Sequence, residues 1–294
     1  MATVSARSAW WLAIRPATLT ASAAPVLVGT GAAWADGAFA PGPAVAALLG
    51  AFLLQIGANF ANDVFDFERG ADTADRLGPQ RATHQGWVTA AQMKRAMWLA
   101  FAGAMAIGLY LTYVAGWPVL ARGLLSIAAA YLYTGGPKPY GYLGLGDLAV
   151  FVFFGFGAVA GTYFVQAHAV SKLALYASVP IGALATAILV VNNLRDIETD
   201  ARAGKNTLAV RLGDGATRTY YLLLLSIAFL VPPYLWWRGL AGPWAMLPWL
   251  SLPLALRLAG RMRHERGLAL NGCLVGTARL EVVFGLLFAL GLAW

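Results

Sequence analysis

Nine runs of mostly apolar residues, near 12–34, 43–63, 94–115, 117–134, 146–166, 173–194, 217–237, 243–258 and 274–294, constrain this chain more than any other feature. A helix needs about 20 such residues to cross the hydrocarbon of a bilayer. The runs are continuous rather than alternating, so they predict membrane helices and exclude a transmembrane barrel. The eighth is short and interrupted by Pro248 and Pro253, a break that membrane helices tolerate where neighbours satisfy the freed backbone groups. Apolar residues make up 60% of the 294 and charged ones 12%, too few charges to cover a water-facing surface. A cytosolic globular protein is thereby excluded. Aromatic residues at 12% exclude disorder, and the single cysteine, Cys273, excludes a disulfide scaffold. Arg15-Pro16 interrupts the N-terminal region and no small-residue cleavage site follows, so no cleavable signal peptide is expected. The fold class expected is all-α: one polytopic integral-membrane domain over residues 1–294, with about nine transmembrane helices.

Charge placement gives a direction. Of the 21 Lys and Arg, all but Arg122, Lys172, Arg238 and Arg279 lie at the N-terminus or in the loops after the second, fourth, sixth and eighth spans. Basic loops stay in the cytoplasm, which puts the N-terminus inside and Trp294 outside. The net charge of +8 is thus a topology signal, and with no basic patch on a soluble module no nucleic-acid partner is expected.

The acids carry the chemistry. Of 13, nine fall in two loops on the cytoplasmic side: Asp63, Asp66, Glu68, Asp72 and Asp75, then Asp196, Glu198, Asp200 and Asp214. Helical spacing puts Asn59, Asn62 or Asp63, and Asp66 on one face, and Asn192, Asp196 and Asp200 on another. Both stripes begin inside an apolar span, where polar side chains are costly unless they face a cavity or one another. Carboxylate oxygens suit Mg²⁺, which is usually held by a few carboxylates together with substrate phosphates. The four aspartates Asp63, Asp66, Asp196 and Asp200 therefore form a two-sided clamp for a metal–diphosphate group. Asp72, Asp75, Glu198 and Asp214 read instead as loop solvation or helix caps. Arg81, Lys138, Arg195, Arg202 and Lys205 flank the clusters and offer donors to phosphate oxygens, though Arg202, like Arg211 and Arg218, reads rather as a positive-inside marker. Arg257, Arg261, Arg263, Arg266 and His264 read as interfacial anchors. Gly135-Gly136-Pro137-Lys138-Pro139 is a turn, and with Tyr140 and Tyr142 a candidate cavity lid. His84, His168 and His264 lack metal-ligand spacing, and the chain has no phosphate-binding loop of an ATP-driven pump. A secondary transporter would need acids near the bilayer midplane, whereas these cluster at one face.

These residues resemble the UbiA superfamily of intramembrane prenyltransferases, whose Asn-Asp-x-x-Asp and Asp-x-x-x-Asp motifs match Asn62-Asp63-x-x-Asp66 and Asp196-x-x-x-Asp200. Within it, Arg15-Pro16-Ala17-Thr18-Leu19 and the stretches 55–86, 134–166 and 191–213 resemble the branch acting on 1,4-dihydroxy-2-naphthoate. Many members carry a third Asp four residues beyond the second; here that position is Gly70, as in the naphthoate branch. The resemblance implies helices bundled around a central cavity open to the bilayer, with Mg²⁺ at the four aspartates. It gives Arg81 and Lys138 diphosphate contacts; Arg15, Asn59, Asn62, Tyr140, Asn192, Asn193 and Lys205 complete the expected substrate-binding set. The implied reactants are a polyprenyl diphosphate, its tail among membrane helices, and an aromatic acceptor. With 1,4-dihydroxy-2-naphthoate the product would be a demethylmenaquinone; 4-hydroxybenzoate, homogentisate or a tetrapyrrole are alternatives. Tyr133, Tyr140 and Tyr163 are candidates to steady an allylic cation.

Overall fold

The computed structural model describes residues 5–71 and 77–294, and every regular element among them is helical. The expectations for Asp72 and Asp75 lie outside the described residues. Helix α1 (Ala6–Ile14) meets α2 (Pro16–Ala35) at a 46° bend. Arg15 sits at the elbow with φ of 55°, and Pro16 starts α2 where its missing N–H costs nothing. Next come α3 (Pro41–Glu68), α4 (Ala90–Ala115), opened by a Thr89–Gln92 capping box, and α5 (Trp117–Leu132). The next span is continuous: α6 (Gly146–Val150), a π-helical stretch over Phe151–Ala160, and α7 (Gly161–Ala167). Helix α8 (Lys172–Arg195) leads into the short α9 (Ile197–Arg202) and then α10 (Leu208–Trp237), which breaks at Gly213. A 3-10 helix (Pro243–Ser251) precedes α11 (Leu252–His264), and α12 (Leu270–Ala293) closes the bundle.

Among the described residues, six helices are long and apolar enough to span a bilayer, and the bent α1–α2 pair adds a seventh. The expected count of nine is therefore not reached by length and composition. Helix α5 is 16 residues long, ending at the Gly135-Gly136-Pro137 turn. The segment expected at 243–258 is a proline-interrupted 3-10 helix followed by α11, whose last turn carries Arg261, Arg263 and His264.

Helix α8 is the buried axis. Its Ala177, Ile181, Leu184, Ala187, Val191 and Leu194 pack in one core with Tyr221 of α10 and Leu280, Phe284 and Phe288 of α12. The neighbouring π-helical stretch comes so close that a Cβ at Gly155 would lie 2.8 Å from the Ser178 carbonyl oxygen. Only glycine allows that approach. Large apolar side chains elsewhere are exposed, as lipid-facing ones are: Leu99 and Leu125 along the helices, Tyr113, Trp117, Trp237, Trp244 and Trp294 near their ends. A concavity of about 550 Å³ beside α10, lined by Leu230, Pro233 and Tyr234, lies away from the aspartates.

Candidate active site

The first stripe occupies the last three turns of α3, and the spacing read from the sequence holds: Asn59, Asp63 and Asp66 are all buried. Asn59 faces the α1–α2 elbow, its Nδ2 donating to the Ile14 carbonyl and the Thr18 hydroxyl, both at 2.8 Å. It thus fixes the angle at which Arg15, half-buried, enters the bundle. Asn59→Ala would leave that carbonyl and hydroxyl without their donor, a loss of about 1–3 kcal/mol. A lowered melting temperature in detergent is expected, and an unchanged one would deny Asn59 this role.

One turn on, Asn62 accepts a hydrogen bond from the Thr134 hydroxyl at 3.0 Å. Asp63 takes the backbone N–H groups of Ala82 and Thr83 at 3.1 and 3.0 Å, so its carboxylate closes the loop that follows α3. That closure brings the preceding Arg81 inward, where its guanidinium meets Asp66 at 3.0 Å, both side chains buried.

Asp66 is the meeting point of three segments distant in sequence. Besides Arg81 it accepts from the Tyr142 hydroxyl at 2.8 Å and from Lys205 at 3.0 Å. The Lys205 ammonium also lies over the Tyr142 ring, 4.7 Å from its centre, and the Asn206 N–H donates to the Tyr142 carbonyl at 3.0 Å. Arg69 holds the intervening turn through the carbonyls of Thr134 and Gly136. The loop carrying the second motif is thereby pinned to the first.

The second stripe runs along the end of α8 into α9. Asp196 is chelated by Arg195, Nε at 2.8 Å and Nη2 at 2.5 Å, and the same guanidinium donates to Asn192 and Asn271. Asn271 in turn donates to the Leu77 carbonyl, fastening α12 to the loop between α3 and α4. Asp200, half-buried, is set by a backbone bond to Asp196, and its carbonyl accepts the Lys205 N–H at 2.8 Å. Asn193 is buried and makes no side-chain hydrogen bond to a described residue.

Other expected residues lie elsewhere. Lys138 is exposed, with no ion pair to a described residue. Tyr140 donates to the Ala129 carbonyl at 2.8 Å and stands edge-on against Tyr133. Burial pushes its hydroxyl up to about 12, so it remains a donor at any working pH. Tyr163 hydrogen-bonds Asp36, at the end of α2 far from both motifs, which removes it from the candidates facing an allylic cation. Thr134 and Asn271 were not anticipated. The only sequence signal for Asn271 was a polar residue at the mouth of the last apolar run.

Hard oxygen donors flank the site from two sides, Asp66 paired with Arg81 and Lys205 on one and Asp196 with Arg195 on the other. No three described carboxylates converge on one point. That arrangement fits Mg²⁺, which takes one or two carboxylates per ion and completes its shell with phosphate and water.

Residues 22–268 match the UbiA prenyltransferase family. The chain belongs to that family. Among its relatives, the 1,4-dihydroxy-2-naphthoate octaprenyltransferase of Mycobacterium tuberculosis is 48% identical, the match covering 88% of this chain and 87% of that one. The enzyme of the same description from Escherichia coli is 40% identical over 98% and 96%. UbiA homologues of known structure share the fold. One from Aeropyrum pernix has a TM-score of 0.70 at 17% identity, over 92% of this chain and 96% of its own. Another, from Archaeoglobus fulgidus and bound to GPP and Mg²⁺, has a TM-score of 0.64 at 16% identity, over 96% and 99%. In this UbiA chain both aspartate motifs lie at the same end of the bundle, as a clamp requires and a midplane ion path does not.

Proposed function

We propose that this single-domain membrane enzyme transfers a polyprenyl group from its diphosphate to 1,4-dihydroxy-2-naphthoate, with loss of the acceptor's carboxylate, giving a demethylmenaquinone. The observation that carries the reading is the convergence at Asp66 of Arg81, Tyr142 and Lys205, which sets basic side chains between the two motifs. The naphthoate acceptor is supported by the descriptions of the relatives.

Asp66, Asp196 and Asp200 would hold Mg²⁺, which when bound neutralises the donor diphosphate. Asp63, with both oxygens on loop amides, acts chiefly by placing Arg81. Arg81 and Lys205 turn from Asp66 to the phosphate oxygens, where charge-assisted hydrogen bonds strengthen as the allylic carbon–oxygen bond breaks. The apolar walls below exclude water from the allylic cation until the ring attacks it. The site opens to the cytoplasm of a bacterial plasma membrane, with the N-terminus inside, as the basic loops require.

The test is purified protein with Mg²⁺, a polyprenyl diphosphate and, in parallel, the naphthoate, 4-hydroxybenzoate and homogentisate. Prenylation of the naphthoate alone, abolished by EDTA, is expected; preference for another acceptor would refute the naphthoate assignment. Lys138→Met should raise the donor KM about tenfold if the lysine closes over bound diphosphate. Unchanged KM and kcat would take Lys138 out of the site.

A further inference from the structure

Asp147, in the first turn of α6, belongs to neither motif. It is 4% exposed, and its Oδ2 has no hydrogen-bond partner. A buried carboxyl oxygen left so is costly, and folds retain such groups where a ligand completes them. Helix α8 and the end of α5 pack against this turn. The Thr186 hydroxyl of α8 lies 3.5 Å from the Asp147 carbonyl, and Gly146 is so close to Tyr133 that a Cβ there would stand 3.2 Å from the tyrosine hydroxyl. Tyr133, at the end of α5, thus borders the turn that carries Asp147.

Depth decides what this pole can serve. Gly146 also abuts Leu189, seven residues before Asp196 and thus about 10 Å beneath it along α8. A donor whose diphosphate sits at the aspartates places its first carbons just below them, and the ring that attacks must lie at that level. The other carboxyl among the described residues with a buried unpartnered oxygen, Glu281, is ten residues along α12 from Asn271, about 15 Å further in, beyond reach of a ring at that position.

We infer that Asp147 holds and orients the aromatic acceptor by accepting a hydrogen bond from a ring hydroxyl at Oδ2, with Tyr133 as its neighbouring wall. This rests on the function proposed above only in that the acceptor is a phenol. Such a bond fixes which ring carbon faces the allylic centre and enriches the ring in electrons.

The experiment compares wild type with Asp147→Asn and Asp147→Leu in detergent, using Mg²⁺, a polyprenyl diphosphate and 1,4-dihydroxy-2-naphthoate. The acceptor KM should rise by about tenfold or more in Asp147→Leu, and less in Asp147→Asn, with the donor KM unchanged. Melting temperatures should stay close to wild type, because the Asp147 Oδ2 has no partner in the fold. An unchanged acceptor KM, a parallel rise in both KM values, or a marked drop in melting temperature would overturn the inference. If wild type itself ignores the naphthoate, the proposed function fails separately, and the same comparison is scored on the phenol that wild type does prenylate.

Discussion

Asp66→Asn is expected to lower turnover by about a thousandfold or more while the protein still folds. Removing a single preorganised partner of a developing charge costs about 10²–10³ in rate, and under the proposed function Asp66 organises two such partners besides holding metal itself. Its oxygens accept from Arg81, Lys205 and Tyr142, so the neutral amide weakens three anchors and presents donor protons toward at least one of them. Asp196→Asn should act in the same direction from the opposite wall. Single-turnover assays with saturating Mg²⁺ and donor separate chemistry from binding. Near-normal rates in both variants would end the clamp proposal.

Arg195→Met is expected to give the largest loss of stability, about 3–5 kcal/mol, since it leaves the Asp196 carboxylate at a largely buried position without its partner. The same substitution strips a donor from Asn192 and from Asn271, the residue that ties α12 to the loop before α4. The double variant Arg195→Met with Asp196→Leu should recover much of the stability, because replacing both charges by apolar groups removes the unpaired ion. It should not recover activity. Detergent melting curves and turnover, measured side by side, read the two effects separately, and an active double variant would exclude Asp196 from the metal site.

Arg195 also illustrates what the sequence left open. It was visible as a basic residue flanking the second motif, yet nothing in the spacing said that it would chelate its own neighbour and reach across to the last helix. Lys138 and Lys205 make the contrast sharper. Both were candidates for the diphosphate; the fold puts Lys205 on Asp66 and leaves Lys138 exposed. Asp63 and Asp66, three residues apart on one face, divide their work, one fixing a loop through backbone amides and the other gathering three segments. The count of spans shifted too, because proline-broken and short apolar runs give helices that length alone does not qualify as crossings.

The apolar runs by themselves determined that this is a helical membrane protein, since a backbone in hydrocarbon must satisfy its own hydrogen bonds. The 3.6-residue period likewise determined which polar side chains share a helix face. Which face meets which loop, and therefore that Tyr142 and Lys205 complete the first motif and that Asp147 is left unpartnered beneath it, was decided only by tertiary packing. The Lys205–Asp66 contact joins positions 139 residues apart and the Asn271–Leu77 contact positions 194 apart. They depend on helix crossing and loop closure, which one-dimensional periodicity does not encode.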